Sequence, residues 1–244
     1  MLPTELIFYL VLPIIAFLYA SVGHGGASGY LAIMALWGFA PNEMKPTALV
    51  LNILVASISY WQYQKTTSIN WKMFSYLVLG SIPAAFIGGK ISVDTNLYRQ
   101  ILGILLIVPA IRFFIRFEPK DIAIKRFSPV IAVALGVGIG FLSGLIGIGG
   151  GIILSPVLLL LSYATFKETA AISALFIVVN SVAGLAGSWQ ILQNINSSIW
   201  MFVPLAAVGG WIGSYWGSHK MSLPLLQKTL ALVLLMASAK LLLT

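Results

Sequence analysis

Two glycine-rich runs hold the groups best suited to chemistry in this sequence: Gly23-His24-Gly25-Gly26-Ala27-Ser28-Gly29 and Gly147-Ile148-Gly149-Gly150-Gly151. Glycine takes backbone angles that other residues avoid, and it leaves peptide N–H groups bare. A helix that starts at such a run presents N–H groups with no partner inside the helix and about half a positive charge. That end can hold an anion without Lys or Arg. Gly25, Gly26 and Gly29 are the candidate backbone of one such end, and Gly149, Gly150 and Gly151 of the other. Close helix packing through small residues is the competing account. The duplication favours the anion.

His24 is the only His, Asp, Glu, Lys or Arg in residues 6–42, and Ile148 fills its place in the second run. Ionisable groups inside a membrane are rare and usually functional. Histidine titrates near neutrality, so it can relay a proton or donate to an anion. A neutral ring bonded to a nearby carbonyl is the alternative. Asn52 and Asn180 follow the two runs, with Thr47 and Ser173 upstream on the same segments. Amide and hydroxyl groups can hydrogen-bond an oxyanion without a full charge, or they can simply join helices to one another. Trp61-Gln62 and Trp189-Gln190 fit an aromatic belt at a membrane interface. Helix-start charge and snorkelling account for Glu43, Lys45, Lys167 and Glu168.

Other chemistries lack their residues. There is no cysteine, hence no disulfide and no cysteine metal site. No nucleophile–base pair, paired carboxylates, metal-spaced cluster or P-loop is present. The expectation is a protein that is not an enzyme and carries no cofactor or metal.

These groups must be positioned by membrane helices. The 244 residues are 59% hydrophobic and only 8% charged, against about 25% charged in a soluble domain. Residues 6–42, 127–166 and 169–219 contain no Asp, Glu, Lys or Arg, so they cannot form a water-facing surface. Strand alternation is absent, which excludes a barrel. Ten apolar segments follow: 5–22, 25–38, 46–63, 72–89, 97–117, 129–146, 150–162, 169–188, 198–217 and 223–243. Segments 25–38 and 150–162 reach only about 20 Å, short of a bilayer core of roughly 30 Å. They are expected to be half-helices. Paired breaks of this kind are the best sequence pointer to a transporter site.

The halves repeat. An offset of 128 superposes Asn52 on Asn180, Trp61-Gln62 on Trp189-Gln190, Gly89 on Gly217, Leu97 on Leu225 and Arg112 on Lys240, whereas the glycine runs align at 124. The expected organisation is one integral membrane domain: a first repeat over 1–117, a cytoplasmic linker over 118–128 and a second repeat over 129–244. The net charge of +8 lies at segment ends and in loops, which fits the positive-inside rule and not nucleic-acid binding. If each break is a turning point, ten cations share one face and four the other. The four are Lys45, Lys90, Arg99 and Lys240. Counting each glycine segment and its half-helix as one crossing gives eight to six instead. The first split obeys the rule better, so the repeats are read as inverted. The chain is then a multi-pass protein of the cell membrane, with the linker cytoplasmic, both termini outside and the half-helices meeting at mid-membrane.

The stretch Gly144-Leu145-Ile146-Gly147-Ile148-Gly149-Gly150-Gly151-Ile152-Ile153-Leu154-Ser155-Pro156 resembles the signature of the TauE/SafE sulfite exporter family. Gly23 to Gly29 is a degenerate first copy, with His24 inserted and no matching proline. Asn42-Glu43-Met44-Lys45-Pro46-Thr47 and Lys167-Glu168-Thr169-Ala170-Ala171-Ile172-Ser173 resemble the family's second motif. The likeness spans nearly the whole chain. It implies transport of sulfite, sulfonates or related organosulfur anions, coupled to a proton or another ion. An anion channel of the same architecture and a membrane enzyme or assembly factor remain the alternatives.

Overall fold

The computed structural model describes residues 3–114, 124–192, 199–219 and 224–243. Most of the predicted linker, including residues 118–123, lies outside the described residues. Everything described is helix or short connection. Helices α1 (Pro3–Ala20), α2 (Ala27–Leu36), α3 (Pro41–Tyr63), α4 (Trp71–Lys90) and α5 (Thr95–Phe114) form the first half. Helices α6 (Pro129–Ile146), α7 (Gly151–Leu160), α8 (Phe166–Gly187), the short α9 (Trp189–Leu192), α10 (Ile199–His219) and α11 (Pro224–Leu243) form the second. Among them α4, α6 and α8 are long and apolar enough to cross a bilayer. The chain is an all-α multi-pass membrane protein.

The two short segments are shorter than the sequence suggests. α2 and α7 each have 10 residues, about 15 Å of rise. Each stops where the backbone turns left-handed, at Gly38 (φ 79) and at Ser162 (φ 57). The helices after them begin earlier than expected. Pro41 stands in the first turn of α3 with Glu43. At α8 a capping box joins Thr165 and Glu168, each bonding the other's backbone N–H, which satisfies two orphan donors.

Packing partners exchange between the halves. If α1, α2, α3, α4 and α5 are matched with α6, α7, α8, α10 and α11, the α4–α6 packing corresponds to α1–α10, and α4–α8 to α3–α10. The pairs α3–α8 and α5–α11 map onto themselves. Both matched interfaces bring backbones close through small residues four apart. Gly136, Gly140 and Gly144 of α6 face the Leu77, Ser81 and Ala85 backbone of α4. Gly209, Gly213 and Gly217 of α10 face Pro13, Phe17 and Ser21. The core thus draws many of its buried residues from α2, α3, α7 and α8. Trp61 and Trp189 are exposed, and the Lys65 ammonium lies 3.0 Å above the Trp61 ring, which suits an aromatic belt.

Candidate functional site

Both half-helices start from a left-handed glycine, Gly26 (φ 96) before α2 and Gly150 (φ 77) before α7. A side chain at either position is strained, and there is no space for one. A Cβ at Gly26 would strike the Tyr30 ring, and one at Gly150 would strike Ile139 and Phe176. The sequence therefore needs glycine here for backbone angle and for packing together.

The two breaks meet. His24 Nδ1 lies 2.9 Å from Val22 O, a carbonyl that only accepts, so a bond there takes a proton on Nδ1. His24 Nε2 reaches into the other half, 2.9 Å from Ser155 Oγ and 3.2 Å from Gly151 O. Ser155 Oγ in turn lies 2.7 Å from Ser173 Oγ and 3.0 Å from Gly151 O. The same heavy atoms suit two proton patterns. With a neutral ring, Ser155 donates to Nε2 and Ser173 donates to Ser155. With an imidazolium, Nε2–H donates to Ser155 Oγ or Gly151 O, and both ring nitrogens face acceptors.

Asn52 is fully buried beside both breaks. Its Oδ1 accepts from the Ala27 N–H at 3.0 Å, capping α2. Its Nδ2 has no acceptor and lies where a Cβ on Gly149 would be. A Cβ on Gly25 would meet the Oδ1 of the same amide. Asn180 behaves differently: its Nδ2 donates to Phe176 O at 2.8 Å, and its Oδ1 finds no donor. Ser181 Oγ, beside Gly149, is also unpartnered. Ser143 Oγ, near Gly150, and Tyr30 OH, near Gly26, share that state. A buried polar group left unsatisfied costs about 1–3 kcal/mol, and such groups concentrate here.

The structure thus gathers His24, Gly25, Gly26, Gly149, Gly150, Gly151, Asn52 and Ser173 at one place. Gly29 lies inside α2 with Ile15 and Tyr19 against its Cα, a packing role. Thr47 is buried on α3, more than a turn before Asn52. Sequence reasoning missed Ser155 and Ser181. Ser155 lies four residues after Gly151, one turn into α7, and that spacing was the available signal. Lys45 differs from expectation. It does not snorkel: it is only 4% exposed, and its ammonium donates to Gly89 O at 3.1 Å near the end of α4. A cation there complements the helix dipole.

The cavity between the breaks, bordered by His24, Asn52, Ile148 and Ile177, is about 10 Å³. That is room for no more than one water.

Known proteins resemble this chain over most of its length. The profile of the family described as sulfite exporter TauE/SafE matches residues 8–241. A protein of Sinorhizobium fredii named probable membrane transporter is 39% identical over 94% of this chain and 94% of its own length. A probable membrane transporter of Methanocaldococcus jannaschii is 30% identical over 66% of this chain and 62% of its own. The YunE protein of Bacillus subtilis, likewise named a probable membrane transporter, is 25% identical over 73% and 71%. No solved structure matches.

Proposed function

Since this chain belongs to the TauE/SafE sulfite exporter family and is a membrane transporter, we propose that it is a secondary transporter of a small sulfur-containing oxyanion, coupled to a proton or another ion. The substrate class rests on the family, and the site rests on the meeting of the breaks. The carrying observation is the set of donors around Gly149–Gly151: the start of α7, which no side chain caps among the described residues, Asn52 Nδ2 and Ser181 Oγ. These are neutral donors aimed at one point beside a helix N-terminus, which suits an oxyanion. The first break, by contrast, is already capped by Asn52. The anion is therefore assigned to the second break, with the first supplying His24 and Asn52. His24 is the coupling residue, because its ring binds one proton more or less without moving its neighbours.

A cavity of about 10 Å³ is too small for the substrate, so loading requires the breaks to part. That favours alternating access over a standing anion channel. The repeats are read as inverted, so that α2 and α7 approach the site from opposite faces with their N-termini together. The proposal is tested in liposomes containing the purified protein, with sulfite and a small alkanesulfonate as substrates and an imposed pH gradient. The expected result is saturable flux that the gradient accelerates. Flux that follows voltage alone and does not saturate supports the channel instead, and no flux of any sulfur oxyanion overturns the substrate class.

A further inference from the structure

We propose that the cavity at the corner of α2, α3, α5 and α11 is a cationic vestibule that delivers small soluble anions to the second glycine break. The inference deepens the transport reading and rests on it. The cavity holds about 230 Å³, lined on its apolar side by Ala35, Phe39 and Met44 and on its polar side by Tyr98, Arg99 and Lys240. It is far roomier than the space between the breaks.

Its charge has one sign. No carboxylate lines it. Arg99 forms no ion pair among the described residues, and the Lys240 ammonium donates to Leu36 O at 2.8 Å, at the end of α2. That bond caps the half-helix from the wall of the cavity. Cations in a cleft with apolar walls raise the local concentration of anions. The placement is also unusual for the face concerned. Only Lys45, Lys90, Arg99 and Lys240 fall on the cation-poor side of the proposed topology, and two of them meet at this cavity. Arg99 and Lys240 line the cavity, Lys45 follows the lining residue Met44, and the Lys45 ammonium rests on Gly89 O beside Lys90. The positive-inside rule would leave that face poor in cations, so their clustering calls for another cause.

The cavity backs onto the site. Tyr98, in its wall, donates from its hydroxyl to Ile146 O at 2.8 Å, the residue before Gly147. The stem of Lys45 packs against Gly147 itself, with its Cγ 3.1 Å from where a Cβ would stand. Arg99 and Lys240 attract the anion, Lys45 supplies the next positive charge inward, and Tyr98 with Ile146 forms the partition that must shift for the anion to reach Gly149.

The chain has no cysteine, so Ala35→Cys places a single thiol in the cavity. The protein in phosphatidylcholine vesicles is treated with iodoacetate, which is anionic, or iodoacetamide, which is neutral and of nearly the same size. The iodoacetate-to-iodoacetamide rate ratio is expected to exceed that of a free thiol by roughly tenfold, to fall with added salt, and to collapse in the Arg99→Gln/Lys240→Gln background. After washing, the carboxymethyl adduct should lower sulfite flux at least several-fold more than the neutral adduct, since the two differ mainly in charge. Equal reaction of both reagents overturns the vestibule. Charge-selective reaction with equal flux through both adducts overturns its place on the route. Protection of the thiol in vesicles containing phosphatidylglycerol assigns the cations to a lipid headgroup and also overturns it. Charge-selective labelling of the Ala35→Cys variant, with no flux of any sulfur oxyanion through the parent protein, sinks the substrate reading while the cavity's preference for anions stands. If the Ala35→Cys variant fails to reach the membrane, Phe39→Cys gives the same readout from the mouth of the cavity.

Discussion

Asn52 and Asn180 hold matched positions on α3 and α8 but face different partners. The Asn52 amide leaves its own helix and caps α2 through the Ala27 N–H at 3.0 Å. The Asn180 amide turns back onto Phe176 O of its own helix. The matched positions therefore differ in what they hold: one amide caps the start of α2, and the other closes on its own helix.

That difference predicts unequal effects of truncation. Asn52→Ala removes a helix cap, which costs about 1 kcal/mol, and takes away the amide that spans both breaks. Sulfite flux in liposomes should drop by an order of magnitude. Asn180→Ala deletes a bond to a carbonyl already held in its helix, so its effect should be smaller on both flux and thermal stability. Equal losses at the two positions would place the anion symmetrically between the breaks.

The breaks and the half-helices were legible because glycine clusters in an apolar run have few other uses, and because ten and thirteen residues alike fall short of a bilayer. The first turns of α3 and α8 were harder to read. Glu43 and Glu168 read as charges at a helix mouth, outside the apolar segments, yet both lie within the first turns, and Glu168 closes a capping box. The divergence of Asn52 from Asn180 was not legible, since both amides satisfy the same pattern and only the neighbouring chain decides which bond forms. Ser155 was hidden for a similar reason. Its partner His24 is 131 residues away, and no local periodicity records such a contact. The burial of Lys45 followed from the end of α4 lying beside it, another long-range fact.

Glycines that serve packing should be separable from glycines that serve the site. A methyl at Gly144 would run into the Ala85 backbone, whereas one at Gly138 meets nothing within 4 Å. Gly144→Ala should cost about 1–3 kcal/mol through overpacking, read as a lower unfolding temperature in detergent. Gly138→Ala should be neutral or stabilising by up to about 1 kcal/mol, because alanine loses less entropy in a helix. Similar unfolding temperatures for the two would discount the close α4–α6 approach.

Replacement at the second break should leave the fold in the membrane and remove transport. Gly150→Val forces a β-branched residue into a left-handed backbone and against Ile139 and Phe176. Flux should be lost while the protein is still recovered in the membrane fraction. Transport that survives in Gly150→Val would return the glycines to a packing role alone.

Inverted halves place the centre and the C-terminal end of the chain on opposite faces. Lys125 is exposed within the central linker, and Leu243 is exposed at the end of α11. With no native cysteine to interfere, Lys125→Cys and Leu243→Cys should react with an impermeant maleimide from opposite sides of sealed vesicles. Labelling of both from one side would require parallel halves.

The ring of His24 lies between two acceptors from different halves, Val22 O at 2.9 Å and Gly151 O at 3.2 Å. A neutral imidazole donates to only one of them; an imidazolium satisfies both. The added charge would stand beside the N-terminus of α7, where it attracts an anion and is in turn stabilised by it. Protonation and anion binding must then favour each other by the same factor. Apparent sulfite affinity should tighten as pH falls and the ring takes up its second proton, after allowance for the substrate's own ionisation. A permanently charged sulfonate gives the cleaner reading. His24→Ala should abolish acceleration by a pH gradient while anion-for-anion exchange persists. Ser155→Ala should weaken the coupling less, because Gly151 O remains to accept from Nε2–H. Sulfonate affinity that stays flat between about pH 5 and 8 in the parent protein would remove His24 from the mechanism and leave it as a clasp between the two breaks.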